Sequence, residues 1–124
     1  MELSKLIEKL QQSVKLENEL WGIVVYERVG NGCLNGLWTN NDNSANFMNE
    51  IARKKEGEDK NNFSGNYTIS YIEPNNIAYS GELKIVGNGI YNFDWNINVG
   101  SNTIFKGVGF KTGENQLTAI YWQL

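Results

Sequence analysis

From Trp21 onward, apolar side chains recur at every second residue, and short segments rich in Gly and Asn interrupt the pattern. A period of two places alternate side chains on opposite faces of a β-strand, and connections this short join neighbouring strands as antiparallel hairpins. The clearest case is 91–98, where aromatic or aliphatic residues alternate with Asn or Asp. The pattern therefore predicts an antiparallel meander. The predicted strands are 21–29, 33–39, 63–72, 78–86, 90–98, 103–111 and 116–124.

A meander of seven strands, or eight if residues 45–52 are extended, has to protect the edges of its sheet. Closure into a barrel removes the exposed edges. Gly65, Gly81, Gly107 and Gly109 lie inside predicted strands, where glycine allows the sharp bends that closure needs. We therefore predict a mainly β fold, an up-and-down barrel of about eight strands, which either fills with side chains or holds one small ligand. The alternative is an open, curved sheet with a helix on its concave face.

The segment 41–58 does not follow the period of two. The apolar residues of 47–52 are spaced as on a helix, and Ser44 is a suitable N-terminal cap, so the pattern favours a short helix. The alternative is an irregular strand over 45–52. Residues 56–62 are charged or polar without an apolar anchor, which predicts a solvated loop.

Residues 1–18 show a third pattern, with apolar side chains three and four residues apart. This spacing predicts an amphipathic α-helix. Such a helix packs on the domain or closes one end of it, and a dimerisation helix is the alternative. The chain of 124 residues is predicted to be one domain, with the helix in 1–18 and the barrel in 21–124. The apolar stripe consists of Leu3, Leu6, Ile7, Leu10 and Val14.

Composition excludes several functional classes. The net charge of -3 gives no positive surface for nucleic acids or for an anionic membrane. The chain has no histidine, which removes Ser-His-Asp catalysis, histidine zinc sites and a histidine pH switch. A single cysteine, Cys33, cannot form an internal disulfide. Since neither a signal peptide nor a membrane-spanning run is recognisable, we expect a cytoplasmic protein.

No set of residues predicts a catalytic or metal centre. Glu82 and Asp94 lie on neighbouring predicted strands, but the alternation places both on the solvated face. The oxygens of 40–43 include one carboxylate, which is too few for a calcium site. Cys33 has no basic partner nearby in the sequence to activate it. We therefore predict a protein that is not an enzyme and needs no metal or cofactor.

Three motifs resemble the avidin and streptavidin family. The sequence Leu-Asn-Gly-Leu-Trp-Thr-Asn at 34–40, followed by Ser44, is similar to the opening strand and first loop of that family. Residues 63–68 resemble its later Phe-x-Gly-x-Tyr strand, and Trp95 and Trp122 are similar to tryptophans that wall its biotin pocket. The resemblance implies an eight-stranded up-and-down barrel that binds a small, largely apolar ligand.

The resemblance also implies where the ligand would lie. The family's last strand has no counterpart after Trp122, and residues 21–29 could take its place from the other end of the chain. Because avidin-like barrels are tetrameric, a homo-oligomer is expected as well. The implied ligand-binding residues are Trp38, Tyr67, Trp95 and Trp122 as walls, with Asn40 and Ser44 at the mouth.

Aromatic residues make up 12% of the chain. Inside a barrel such rings either fill the core or line a pocket in which a few polar groups orient an apolar ligand. We therefore predict a non-catalytic barrel that holds a small apolar or amphipathic ligand. The alternative is a protein-interaction module of the inhibitor, immunity or viral accessory type, with a filled barrel and no ligand.

Overall fold

Eight β-strands make up the regular structure in the computed structural model, which describes residues 20–41, 47–72, 78–98 and 102–124. No helix occurs among these residues, and the helix predicted in 1–18 lies outside them. The strands are β1 (Trp21–Gly30), β2 (Cys33–Asn40), β3 (Met48–Lys54), β4 (Gly65–Ile72), β5 (Ala78–Gly87), β6 (Ile90–Asn98), β7 (Asn102–Gly113) and β8 (Gln116–Gln123).

The sheet closes on itself because β1 pairs with both β2 and β8. Every strand is antiparallel to the next, and the ring is completed by a register that runs from Trp21 opposite Trp122 to Glu27 opposite Gln116. A closed ring leaves no strand edge unpaired. The prediction of a closed up-and-down barrel is confirmed, with the segment at 21–29 in the closing position.

The short helix predicted within 41–58 is wrong, because Met48–Lys54 forms strand β3. This strand pairs with β2 on one side and with β4 on the other. Its side chains alternate, with Glu50 and Ala52 buried and Ile51 between them exposed. The spacing of the apolar residues suits a helix as well, but two flanking strands offer the backbone hydrogen-bond partners that an extended segment needs.

The buried side chains form one core inside the barrel. On β6 the inward face is Tyr91, Phe93, Trp95 and Ile97, as the alternation predicts. The rings of Phe93 and Trp95 stack with centroids 5.4 Å apart. The ring of Tyr26 on β1 is also nearly parallel to that of Phe93, with centroids 6.2 Å apart. The aromatic faces of the predicted strands thus meet inside a single barrel.

Phe63 closes one end of this barrel. Its ring is buried and meets the ring of Tyr91 edge to face, with centroids 6.1 Å apart. The guanidinium carbon of Arg28 lies 4.1 Å from the centroid of Phe63, which is a cation–π contact. The hydroxyl of Tyr67 donates to the carbonyl oxygen of Phe63 at 2.6 Å. We call this the Phe63 end, and the opposite end, where β1 begins, the Trp21 end.

Two inward-facing glycines leave room for large rings. A Cβ on Gly36 would lie 2.8 Å from Cε1 of Tyr26, its partner in the β1–β2 register. A Cβ on Gly107 would lie 2.8 Å from Cζ3 of Trp95 and 2.7 Å from the backbone oxygen of Ile120. Both distances are shorter than van der Waals contact, so these positions accept no side chain without displacement of a ring.

The substitution Gly107→Ala should therefore lower the free energy of unfolding by about 1–3 kcal/mol, the usual effect of overpacking a core. Urea denaturation measures the change. Gly113→Ala is the control, because the nearest atom to its Cβ would be Cβ of Gln116 at 3.4 Å. Its expected effect is within about 0.5 kcal/mol. Equal effects of the two substitutions would contradict the close packing of Trp95 on Gly107.

Candidate functional site

A cavity lies inside the barrel at the Trp21 end. Its volume is about 70 Å³. A buried water molecule needs roughly 10–15 Å³, so the cavity has room for a small organic group. The aromatic rings that line it are those of Tyr26, Trp38, Tyr71, Trp95, Phe105 and Tyr121.

The rings of the cavity wall hold one another in place. Trp38 meets Tyr71 edge to face, with centroids 5.4 Å apart and planes at 86°. Tyr121 contacts Trp95 at 5.7 Å and Phe105 at 5.9 Å. These five rings come from β2, β4, β6, β7 and β8, so the wall is fixed by the sheet itself. Edge-to-face and tilted contacts of this kind are favourable arrangements for aromatic pairs.

Glu50 is the one charged residue among the described residues that line the cavity. It is 6% exposed. The hydroxyl of Tyr26 donates to its Oε2, and Nε1–H of Trp95 donates to the hydroxyl oxygen of Tyr26 at 3.0 Å. Three strands, β3, β1 and β6, thus contribute to one buried hydrogen-bonded chain that ends on a carboxylate.

Burial raises the pKa of Glu50 from its ordinary value of 4.5 to about 7. The hydrogen bond that Tyr26 donates to Glu50 and the nearby N–H of Trp95 favour the ionised form, but they offset only part of the desolvation. Burial also raises the pKa of Tyr26, and the neighbouring charge of Glu50 adds to the effect. Near neutral pH the carboxyl group is therefore present in both forms, while Tyr26 remains a neutral donor.

The indole N–H of Trp38 is a second unusual polar group at the cavity. Trp38 is 8% exposed and lines the cavity, and its Nε1 has no hydrogen-bond partner among the described residues. Buried donors in folded proteins are almost always paired, because an unpaired one costs about 1–3 kcal/mol. An acceptor atom on a bound ligand would satisfy it.

Three of the six residues predicted to bind a ligand line the cavity. They are Trp38, Asn40 and Trp95, and they are joined there by Glu50. Ser44 lies outside the described residues. The other two, Tyr67 and Trp122, lie elsewhere in the barrel.

Tyr67 faces the interior but lies at the Phe63 end, where its hydroxyl bonds to Phe63. Tyr71 follows on the same face of β4, four residues and thus about 13 Å further along the strand. It is Tyr71 that lines the cavity. Tyr67 thus shares the inward face of β4 with Tyr71 but lies at a different depth in the barrel, away from this cavity.

Trp122 lies on the outer face of β8. The buried residues of this strand are Leu117, Ala119 and Tyr121, so the residue after Tyr121 faces outward. Trp122 is the register partner of Trp21 on β1. A shift of one residue exchanges the two faces of a strand, and it is Tyr121, not Trp122, that lines the cavity of the barrel.

Several residues of the cavity were not predicted from the sequence. Tyr121 and Tyr71 could have been found from the alternation of β8 and β4, since they continue buried faces that begin at Leu117 and Tyr67. Glu50 was missed because its segment was predicted to be a helix. If residues 48–54 are interpreted as a strand, the alternation places Glu50 on the same face as Ala52.

Outside this cavity the described residues offer few other sites. They contain no group of three or more side chains suited to hold a metal ion. Within the same part of the chain no helix is long and apolar enough to cross a bilayer. Comparisons with family models, with curated proteins and with solved structures give no match, so function has to be inferred from the chemistry of the cavity itself.

Proposed function

We propose that the protein is a non-catalytic binding protein that holds a small amphipathic ligand in the cavity at the Trp21 end. The observation that carries the proposal is the combination of aromatic walls with two buried polar groups, the Glu50 carboxylate and the indole N–H of Trp38, which has no partner in the part of the chain that the structure describes. In the buried cavity wall both groups lower the free energy of unfolding, because burying a carboxylate or an unpaired donor is unfavourable. Such groups in an apolar pocket are typical of ligand sites.

The walls and the polar groups of the cavity would contact different parts of the ligand. The rings of Tyr71, Phe105 and Tyr121 offer apolar surface for the body of a ligand. Glu50 and Trp38 come from β3 and β2, which are adjacent strands, so one polar end of a ligand can meet both. A ligand that is apolar throughout would leave the N–H of Trp38 without an acceptor and the Glu50 carboxylate without an opposite charge, which is why we propose an amphipathic one.

A protein-interaction module that forms homo-oligomers is the second candidate, and the outer surface favours it. Trp21 and Trp122 are register partners on the outside of β1 and β8. Ile23, Leu37 and Ile104 on β1, β2 and β7 are 40%, 47% and 43% exposed. Apolar side chains grouped on neighbouring strands are a common feature of protein contact surfaces.

The four tryptophan indole N–H signals distinguish the two candidates in an NMR titration of the ¹⁵N-labelled protein. Trp38 and Trp95 line the cavity, whereas Trp21 and Trp122 lie outside it. We expect small amphipathic compounds from a fragment library to shift the signals of Trp38 and Trp95 and to leave the outer pair unchanged. Single Trp→Phe substitutions assign the signals.

Two outcomes would contradict ligand binding in the cavity. The first is that no compound shifts the signals of Trp38 and Trp95. The second is that only the signals of Trp21 and Trp122 shift, and that they shift when the protein concentration is raised. The second result would support self-association through the outer surface.

A further inference from the structure

We propose that the ligand of this cavity carries a positively charged nitrogen, an alkylammonium group that binds beside the Glu50 carboxylate among the aromatic rings. This inference rests on the proposed function and narrows its ligand to a chemical class, the small organic cations. The expected partner is a quaternary or primary ammonium on a short body with a hydrogen-bond acceptor.

The charge balance of the cavity is the first argument. Glu50 is buried, yet no described Lys or Arg forms an ion pair with it. The two ion pairs of the described residues, Lys55–Glu82 and Lys106–Asp94, involve exposed side chains. Buried charges in proteins are normally paired. A ligand cation would supply the missing opposite charge, whereas a ligand carboxylate would be repelled.

The aromatic wall is the second argument. The electron-rich faces of Trp and Tyr attract cations within about 6 Å, and cages of such rings recognise quaternary ammonium groups. Here the contacting rings stand at steep angles, 86° for Trp38 with Tyr71 and 60° for Trp95 with Tyr121. They form a multi-sided wall next to a carboxylate, and no positive side chain occurs among its described lining residues.

The unpaired N–H of Trp38 is the third argument, and it concerns the rest of the ligand. An oxygen acceptor a few bonds from the ammonium group would accept this hydrogen bond while the cation lies near Glu50. The two side chains come from adjacent strands, because Trp38 and Glu50 lie two residues apart in the β2–β3 register. A hydroxyl or ether oxygen close to the charged nitrogen suits that separation.

Cation binding should depend on pH, because only the ionised form of Glu50 attracts the ligand. Burial raises the pKa of Glu50 to about 7, so the affinity for a permanent cation should rise about tenfold between pH 6 and pH 8. The titratable groups on the described cavity wall besides Glu50 are the phenols of Tyr26, Tyr71 and Tyr121. The chain contains no histidine that could titrate there.

Choline and two isosteres test the proposal. Choline carries a permanent positive charge and a hydroxyl group. In 3,3-dimethylbutan-1-ol a carbon replaces the nitrogen without changing the shape, and 3,3-dimethylbutanoate is the negatively charged counterpart. Each compound is titrated at pH 8 into the wild-type protein, Glu50→Gln and Glu82→Gln, with the indole signals of Trp38 and Trp95 as readout. Glu82→Gln removes an exposed carboxylate outside the cavity and is the matched control.

We expect choline to bind the wild type at least tenfold more tightly than the neutral alcohol. Glu50→Gln should abolish this preference and the pH dependence, while Glu82→Gln should leave both within about twofold.

Equal or tighter binding of the alcohol or of the butanoate would overturn the cation assignment and leave the proposed function standing. Failure of all three compounds, while other amphipathic compounds shift the two signals, would also overturn it. If no compound shifts them, the proposed function fails as well. The pH dependence in the wild type tests the role of Glu50 without any variant.

Discussion

Glu50→Gln should raise the free energy of unfolding at pH 8 by about 3 kcal/mol in the absence of ligand. The folded protein raises the pKa of Glu50 from 4.5 to about 7. Each unit of pKa difference corresponds to about 1.4 kcal/mol between the two protonation states. Because the pKa is higher in the folded state, the folded state holds the proton more tightly, and stability falls as the pH rises from about 4.5 to about 7. Glutamine is neutral throughout and can still accept the hydrogen bond from Tyr26.

Urea denaturation of both proteins between pH 4.5 and pH 8.5 measures this effect. The difference in unfolding free energy should be close to zero at the acidic end, grow through neutral pH and level off above about pH 8. Taking the difference cancels the contributions of the other carboxylates. Glu82→Gln is the control, because Glu82 is exposed and its substitution should change stability by less than about 1 kcal/mol at every pH. A pH-independent difference between the wild type and Glu50→Gln would show that burial does not shift the pKa of Glu50.

Trp95→Ala should lower the free energy of unfolding by about 3–5 kcal/mol, the range for removal of a large buried ring. The indole stacks on Phe93, contacts Tyr121 and donates to the hydroxyl of Tyr26. Its loss enlarges the cavity and removes the donor that supports the hydrogen bond from Tyr26 to Glu50. Chemical denaturation without ligand measures the change.

Trp122→Ala is the matched control for that substitution. Trp122 is only half-buried and lies on the outer face, so its removal should cost about 1 kcal/mol or less. The same residue type is removed in both variants, and only the face of the barrel differs. Equal destabilisation would contradict the outward orientation of Trp122.

The fold could be predicted from the sequence wherever the alternation of side chains was strict. In β6, aromatic or aliphatic residues alternate with Asn or Asp without exception from Tyr91 onward, and strand geometry alone then decides which side is buried. Most turns between the strands are short and rich in glycine and asparagine, so the order of the strands around the barrel followed as well. These features are local, and local features can be read from a single sequence.

Part of the candidate site was not predicted, because it depends on the register of the strands and on the depth of the cavity in the barrel. Glu50 belongs to a segment whose spacing suits a helix, and only the neighbouring strands make it extended. Tyr67 and Tyr71 are equivalent in the pattern, and the ring of Phe63 decides which end of the barrel is filled. Trp122 and Tyr121 are adjacent, and their faces are set by the pairing of β8 with β1 and β7.

The pairing of β1 with β8 joins residues roughly one hundred positions apart, as with Trp21 and Trp122. During synthesis on the ribosome, β1 emerges before β8, so one edge of β1 stays unpaired until the β7–β8 hairpin has left the exit tunnel. Loop closure over such a distance is slow compared with the formation of adjacent hairpins. Pairing of β1 with β8 is therefore expected to be the last step of barrel formation, after the hairpins between adjacent strands have formed.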